Sequence, residues 1–283
     1  MRDAAQRRLA VGFFDGVHLG HRAILDGADA VLTFRNHPLS VLDPPRAPRL
    51  IMPPASRLEA LRALGVREVT MLEFTRELAG TDPEEFVRRH LSGAAGPGGL
   101  KVLCGANWRF GRDGAGDAEL LRRLGIDVEV RPYAEWRGER ISSSRIRAAL
   151  LRGEVEDAAE MLGRPYAVGG RTVRGKGLGR RLGFPTVNIV PDSDVLLPHG
   201  VYAVRFCGLR GVANFGLAPT LREQAWREPV LEVHALDGEP EADLPSLRVE
   251  ILRRIRPERT FADMDELRAQ LARDCQWAIG CPA

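Results

Sequence analysis

The chain is poor in lysine, in cysteine and in long apolar runs. Its 41 basic and 38 acidic residues leave a net charge of +3, and lysine stands only at Lys101 and Lys176, so nearly all the positive charge is arginine. Without a long basic run, neither a nucleic-acid footprint nor a membrane-binding patch is expected. The cysteines, Cys104, Cys207, Cys275 and Cys281, form no Cys-x-x-Cys pair. That argues against a zinc site or a disulfide framework and fits a reducing, cytoplasmic compartment. No stretch approaches the roughly 20 apolar residues of a membrane span. Residues 1–8 lack the apolar core of a signal peptide, and no internal repeat or low-complexity segment is present. What remains is a chain of 283 residues, 44% hydrophobic and 28% charged, which is enough for two ordinary globular domains.

The two halves have different rhythms. Up to residue 163, strand signals (Leu9–Phe13, Ala30–Phe34, Glu68–Phe74, Lys101–Cys104, Val128–Arg131) alternate with helix signals. Among the latter, Ser56 is read as a cap, Asp82-Pro83-Glu84-Glu85 as a helix start, and Ser142–Ser144 as the cap of a helix running to Arg152. This alternation predicts a mostly parallel sheet covered by helices, a Rossmann-like α/β domain over 1–163. From 164 to 283 short strands separated by glycine, proline and acidic turns predict a β-barrel or sandwich, closed by one helix that Asp263 caps.

Leu9 to Arg22 is the most informative stretch of the first half. An apolar run breaks at Asp15-Gly16, and His18 and His21 follow with Gly20 between them. A strand, a glycine turn and a helix start aim backbone N–H groups at one point and favour an anion there. Gly16 lets a phosphate approach the backbone, and two imidazoles three positions apart can both turn toward it. Three more segments sit where strands end, the place at which ligands gather in such sheets: Thr33–Pro38, Gly105–Gly111 and Ile141–Arg147. The hydroxyls and arginines of the last form a second anion site, and two such sites suggest a nucleoside triphosphate between them.

Phe14-Asp15-Gly16-Val17-His18-Leu19-Gly20-His21, Thr33…His37-Pro38, Asn107-Trp108-Arg109-Phe110-Gly111 and Ser142-Ser143-Ser144-Arg145-Ile146-Arg147 occur in this order. The series resembles the FMN adenylyltransferase module of prokaryotic bifunctional FAD synthetases, a member of the HxGH nucleotidyltransferases. The resemblance implies attack of an FMN phosphate oxygen on the α-phosphorus of ATP. His18 and His21 would stabilise phosphate charge, with Gly16, Ser143, Ser144, Arg145 and Arg147 about the phosphates, one of the two arginines facing solvent. Asn107, Trp108 and Phe110 would contact the flavin, although Trp108 reads equally as a core aromatic. The chain departs from the family in three places. Only Arg22–Asp29 separates the histidines from the next strand, so the intervening helix is cut to one or two turns. Asn36 replaces the first proline of Pro-His-Pro, and Ser144 replaces a threonine.

In the second half, Gly169–Gly183 is a glycine-rich basic loop without the Walker ending. It leads to Phe184-Pro185-Thr186-Val187-Asn188, whose hydroxyl and amide oxygens are hard ligands suited to Mg²⁺. Glu232 lies in an apolar strand, where an unpaired carboxylate is costly unless it points outward. With Leu197–Tyr202, Val212–Thr220 and Arg254–Phe261, the series resembles riboflavin kinase. That resemblance implies a six-stranded antiparallel barrel with a C-terminal helix, transferring the ATP γ-phosphoryl to riboflavin. Thr186 and Asn188 would bind Mg²⁺, Glu232 would act as general base, Gly175, Lys176 and Gly177 would cover the nucleotide, and Arg256 and Phe261 would border the flavin. The expected protein makes FMN and then FAD from riboflavin and ATP. Two alternatives stay open at this point: a riboflavin kinase with a degenerate first domain, and a flavin- or RNA-binding regulator.

Overall fold

The structure, a computed structural model, describes residues 6–175, 178–217, 229–238 and 244–280. Contacts divide the chain into two compact units, Met1–Ser143 and Ser144–Ala283. Among the described residues no helix is long and apolar enough to cross a membrane.

In the first unit β1 (Arg7–Val11), β2 (Ala30–Phe34), β3 (Glu68–Leu72), β4 (Leu100–Gly105) and β5 (Asp127–Arg131) form a parallel sheet in the order β3-β2-β1-β4-β5. Both faces are covered, so the central strands are apolar on alternate sides. Leu9, Val11, Leu32, Val102 and Cys104 pack with Phe86 and Leu121 on one face. Ala10, Val31 and Leu103 pack with Leu25, Leu61 and Val66 on the other. The chain runs from β1 outward to β3 and then returns to β4 on the other side of β1. That reversal opens a crevice at the carboxyl end of β1.

Local chemistry sets the helix starts. Asp82 accepts the N–H groups of Glu84 and Glu85 at the helix Pro83–Phe86, and Asp117 accepts that of Leu120 at Ala118–Arg123, as free N–H groups at a helix start require. Ser56, expected as a cap, lies inside the helix Pro54–Ala63. Pro53 takes the cap position, and Pro54 starts the helix where a missing N–H costs nothing. The helix after β1 spans Leu19–Leu25, seven residues, about the two turns expected. A hairpin of β6 (Glu135–Trp136) and β7 (Glu139–Arg140) follows β5.

The helix Val155–Leu162, expected to close the first domain, packs against strands of the barrel, and Arg253 donates to Glu156 at 2.7 Å. This is why the compact units divide ahead of residue 163. The barrel contains β8 (Tyr166–Val173), β9 (Thr186–Pro191), β10 (Gly200–Phe206), β11 (Leu209–Gly216), β12 (Val230–Ala235) and β13 (Ser246–Pro257). They close in the order β10-β11-β12-β9-β8-β13, every pairing antiparallel. Closure removes exposed sheet edges. The long β13 makes it possible, pairing with β8 through its first half and with β10 through its second. One face of the wall buries Ile189, Tyr202, Ala213, Leu231 and Val233. On the other, Val201, Ala203 and Val212 pack under Ala278 of the helix Met264–Ile279, whose start Asp263 caps as expected.

Candidate active sites

In the first unit, the segment leaving β1 is bent by three residues with left-handed backbone: Phe14 (φ 55°), Gly16 (φ 85°) and Val17 (φ 42°). Such angles are strained for a phenylalanine and more so for a β-branched valine. Both side chains are 1% exposed in the core, and their burial offsets the strain. Asp15, equally buried, accepts the Ile51 N–H at 3.0 Å and the Met52 N–H at 3.4 Å, tying a distant segment to the turn. Ser143, at the start of its helix, donates from its hydroxyl to the Asp15 carbonyl at 2.9 Å. The turn and the middle serine of the Ser142-Ser143-Ser144 segment are thus brought together.

His18 caps the helix Leu19–Leu25. Its Nδ1 accepts the His21 N–H at 3.2 Å, so its ring proton sits on Nε2. The two rings stack 3.5 Å apart at 18°, and Phe14 meets His21 edge-on at 5.3 Å. A Cβ at position 20 would lie 3.1 Å from the His18 ring, so Gly20 makes room for that stack. His21 keeps part of its surface exposed, yet its Nδ1 is buried with no hydrogen-bond partner among the described residues. Burial, and then the neighbouring His18, Arg57 and Arg140, push its pKa well below the ordinary imidazole value. His21 is therefore neutral and offers one N–H.

Of the expected flavin contacts, Asn107 is exposed and its amide oxygen accepts from Arg140 at 3.4 Å. Trp108 stacks on Phe110 at 4.6 Å, and Phe110, 6% exposed, is a core residue that supports the indole from within. Arg140 was missed by the sequence reading. It covers the Tyr133 ring at 3.5 Å and its charge is felt by His21. Farther along the Ser143 helix, the Arg147 guanidinium reaches the Ser144 hydroxyl at 3.5 Å. Arg145 lies two positions away, on a different side of the helix.

In the second unit, a cavity of about 760 Å³ lies between the barrel wall and the C-terminal helix. Register places its polar groups. Asn188 of β9 pairs with Glu232 of β12, which pairs on its other side with Asn214 of β11. One step along, Thr186 pairs with His234. Directly paired residues share a face with Cβ atoms about 5 Å apart, and all five line the cavity. His234 donates from Nδ1 to the Pro185 carbonyl at 2.8 Å. Burial raises the Glu232 carboxyl above its usual range, and the Glu258 charge raises it further. Glu258, also missed by the sequence reading, accepts from the Asn214 amide at 3.4 Å and lies 3.6 Å from His199 Nδ1.

Gly175 and Gly179 sit against this row. A Cβ at 175 would overlap the Asn188 amide, and one at 179 would lie 3.2 Å from the Thr186 hydroxyl. Lys176 and Gly177 lie outside the described residues. Leu267, Leu271, Asp274 and Cys275 close the cavity from the C-terminal helix, at the spacing of one helix face. Asp274 is 2% exposed and holds Arg256 through Nε at 3.1 Å and a second guanidinium nitrogen at 2.8 Å. The Arg256 side chain thus locks the helix to β13 as well as lining the cavity with Phe261. Among the described residues, no group of three or more histidine, cysteine or acidic side chains is placed to hold a metal ion. The oxygen donors of Thr186 and Asn188 nevertheless suit Mg²⁺, which takes few protein ligands and completes its shell with phosphates and water.

Known proteins resemble the chain along almost its whole length. The FAD synthetase family profile matches residues 1–145, and the riboflavin kinase profile matches residues 162–280. A bifunctional riboflavin kinase/FMN adenylyltransferase of Escherichia coli K12 is 36% identical over 94% of this chain and 90% of its own length. One of Bacillus subtilis 168 is 33% identical, over 98% and 93%. A crystal structure described as a macrolide-efflux protein from Streptococcus pneumoniae shares the fold with a TM-score of 0.85 and 29% identity, covering 98% of this chain and 94% of that one. Profiles on both parts of the chain and end-to-end relatives establish that it belongs to the bifunctional riboflavin kinase/FMN adenylyltransferase family.

Proposed function

We propose that the family's two reactions are served by the two sites just described, with the functional boundary near residue 163. The chain phosphorylates riboflavin to FMN in its barrel and adenylylates FMN to FAD in its parallel-sheet domain, using ATP in both. The observation that carries the kinase assignment is the pairing of Glu232 with Asn188 in the wall of one cavity. Glu232 accepts the riboflavin hydroxyl proton, and its raised pKa brings it closer to working pH, which favours a general base. Thr186 and Asn188 would hold Mg²⁺, which supplies neutralisation of phosphate charge. Gly175, which lies against the Asn188 amide, would cover the nucleotide together with Lys176 and Gly177. Arg256, fixed by Asp274, and Phe261 border the flavin.

In the other domain, direct transfer between phosphates needs positioning and charge stabilisation and no protein nucleophile. His18 and the neutral His21 donate N–H groups to the ATP phosphates as the bond to pyrophosphate breaks. Gly16 leaves the backbone bare beside them. Ser143, Ser144 and one of Arg145 and Arg147 hold the triphosphate, and Asn107 and Trp108 meet the flavin. Purified protein assayed for both half-reactions tests the division: Glu232→Ala is expected to lose FMN formation and keep FAD formation from FMN, and His21→Ala the reverse. Equal loss of both activities in both variants refutes the two-site assignment.

A further inference from the structure

The helix Pro54–Ala63 turns Arg57 inward, one turn before Leu61, and both are 0% exposed. An arginine at a core position is costly unless its donors are used. Here both terminal nitrogens are spent on backbone, while Nε is buried with no partner among the described residues. One guanidinium nitrogen donates to the Phe13 carbonyl at 3.2 Å. The other donates to the Phe34 carbonyl and, at 3.1 Å, to that of Arg35. The guanidinium also lies 4.4 Å from the centre of the Phe13 ring. Phe13 begins the strained turn to His18, and Phe34 and Arg35 leave β2 toward His37. A second clamp joins the same carbonyl, since Thr33 donates to Phe13 from its hydroxyl at 3.0 Å. Burial lowers the guanidinium pKa, and the Asp15 carboxylate of the turn opposes that loss.

We propose that Arg57 is a positioning residue for FMN adenylylation, fixing the carboxyl ends of β1 and β2 and hence the turn that carries His18 and His21. This rests on the assignment of those histidines to adenylyl transfer. A parallel sheet leaves carbonyls unpaired where its strands end, and a ligand crevice opens there. A planar fork with several donors can hold carbonyls of two strands at once, which the point charge of lysine does less well. Arg57 also keeps a fixed cation near His21. The groups acting on that ring are the burial itself, then His18, Arg57 and Arg140, so removing Arg57 moves His21 titration to higher pH.

Arg57→Met and Arg57→Lys are compared with His21→Ala in the full chain, with riboflavin phosphorylation as an internal control. Arg57→Met is expected to lower kcat for FAD formation on the order of 10²-fold, the scale of a misplaced catalytic group, with kinase kcat unchanged. The limb of its pH profile that reports His21 should move to higher pH. Arg57→Lys, which keeps the charge, is expected to recover part of kcat with the limb unmoved. A purely structural role predicts a lower Tm with an unshifted profile. If His21→Ala abolishes FAD formation while Arg57→Met retains both kcat and profile, the proposal for Arg57 is overturned. If His21→Ala leaves FAD formation intact, the histidine assignment itself is wrong. Should Arg57→Met fail to fold, Arg57→Lys decides: a reduced kcat with unchanged kinase supports the proposal, and a wild-type kcat refutes it.

Discussion

The two sites are built on opposite principles. In the parallel-sheet domain the functional groups sit on a turn, and their geometry depends on backbone angles that Phe14 and Val17 adopt only because the core and Asp15 hold them. In the barrel they sit on the strands, and hydrogen-bond register alone sets Asn188, Glu232 and Asn214 side by side. A site made from a turn needs outside clamps, which accounts for the buried Arg57 and Asp15 beneath it. A site made from register needs only a cover, supplied by the C-terminal helix and its Asp274–Arg256 lock. Perturbation should therefore spread through the first site and stay local in the second.

The largest effect expected is at the register site. Glu232→Gln removes the proton acceptor while keeping shape, and should lower riboflavin kinase kcat by about 10³-fold, within the usual range for a general base. The same change has a stability signature of opposite sign. The folded-state pKa of Glu232 is raised, so its favourable contribution is present below the unfolded value and is lost as pH rises through the folded one. At neutral pH the charged form is the unwelcome one, and Glu232→Gln should melt higher than wild type in a thermal scan. A variant that is slower and also less stable contradicts this account of the buried carboxylate.

Next in size is His21→Ala, for which steady-state assays should find adenylylation reduced on the order of 10²-fold, the scale of losing one preorganised donor. His18 loses its stacking partner with it, so a double variant with His18→Ala should cost less than the product of the single losses. Additive losses would mean that the two rings work independently. Gly175→Ala is a smaller and purely steric test. The added methyl overlaps the Asn188 amide, and kinase kcat/KM should fall roughly 10-fold for a site displaced by an ångström or less. FAD formation from FMN should stay at the wild-type level.

Much of this was legible in the sequence because both domains follow periodic rules. Apolar runs that alternate with helix signals point to the parallel sheet, and Asp82 and Asp263 cap where the sequence places helix starts. The turn could be located from Asp15-Gly16 and the paired histidines, since glycine and histidine at that spacing have few structural reasons to occur together. β9 was less visible, because Thr186–Pro191 begins with polar residues and follows a glycine-rich loop. Arg57, Arg140, Asn214 and Glu258 were illegible for one shared reason. Each is a polar residue whose partner is distant in sequence, and no local pattern separates it from a solvated side chain. Arg57 sits one turn from Leu61 in a helix that also carries Glu59 and Arg62, and only the packed structure shows that it points inward.

The finest test of the contrast uses pH. Glu232 feels burial first and the Glu258 carboxylate second, both raising its pKa. Kinase activity should then fall on the acid side at a pH above the ordinary carboxylate range, because protonated Glu232 accepts nothing. Glu258→Gln removes the second influence and leaves the first, so the acid limb should move down by a fraction of a pH unit, about the size expected for one charge in a partly solvated cavity. The adenylylation profile should not move, because its titrating group is His21 and the charged groups acting on that ring, Arg57 and Arg140, belong to its own domain. A kinase limb that stays fixed in Glu258→Gln would assign the raised pKa to burial alone, and a limb that moves upward would overturn Glu232 as the group being read.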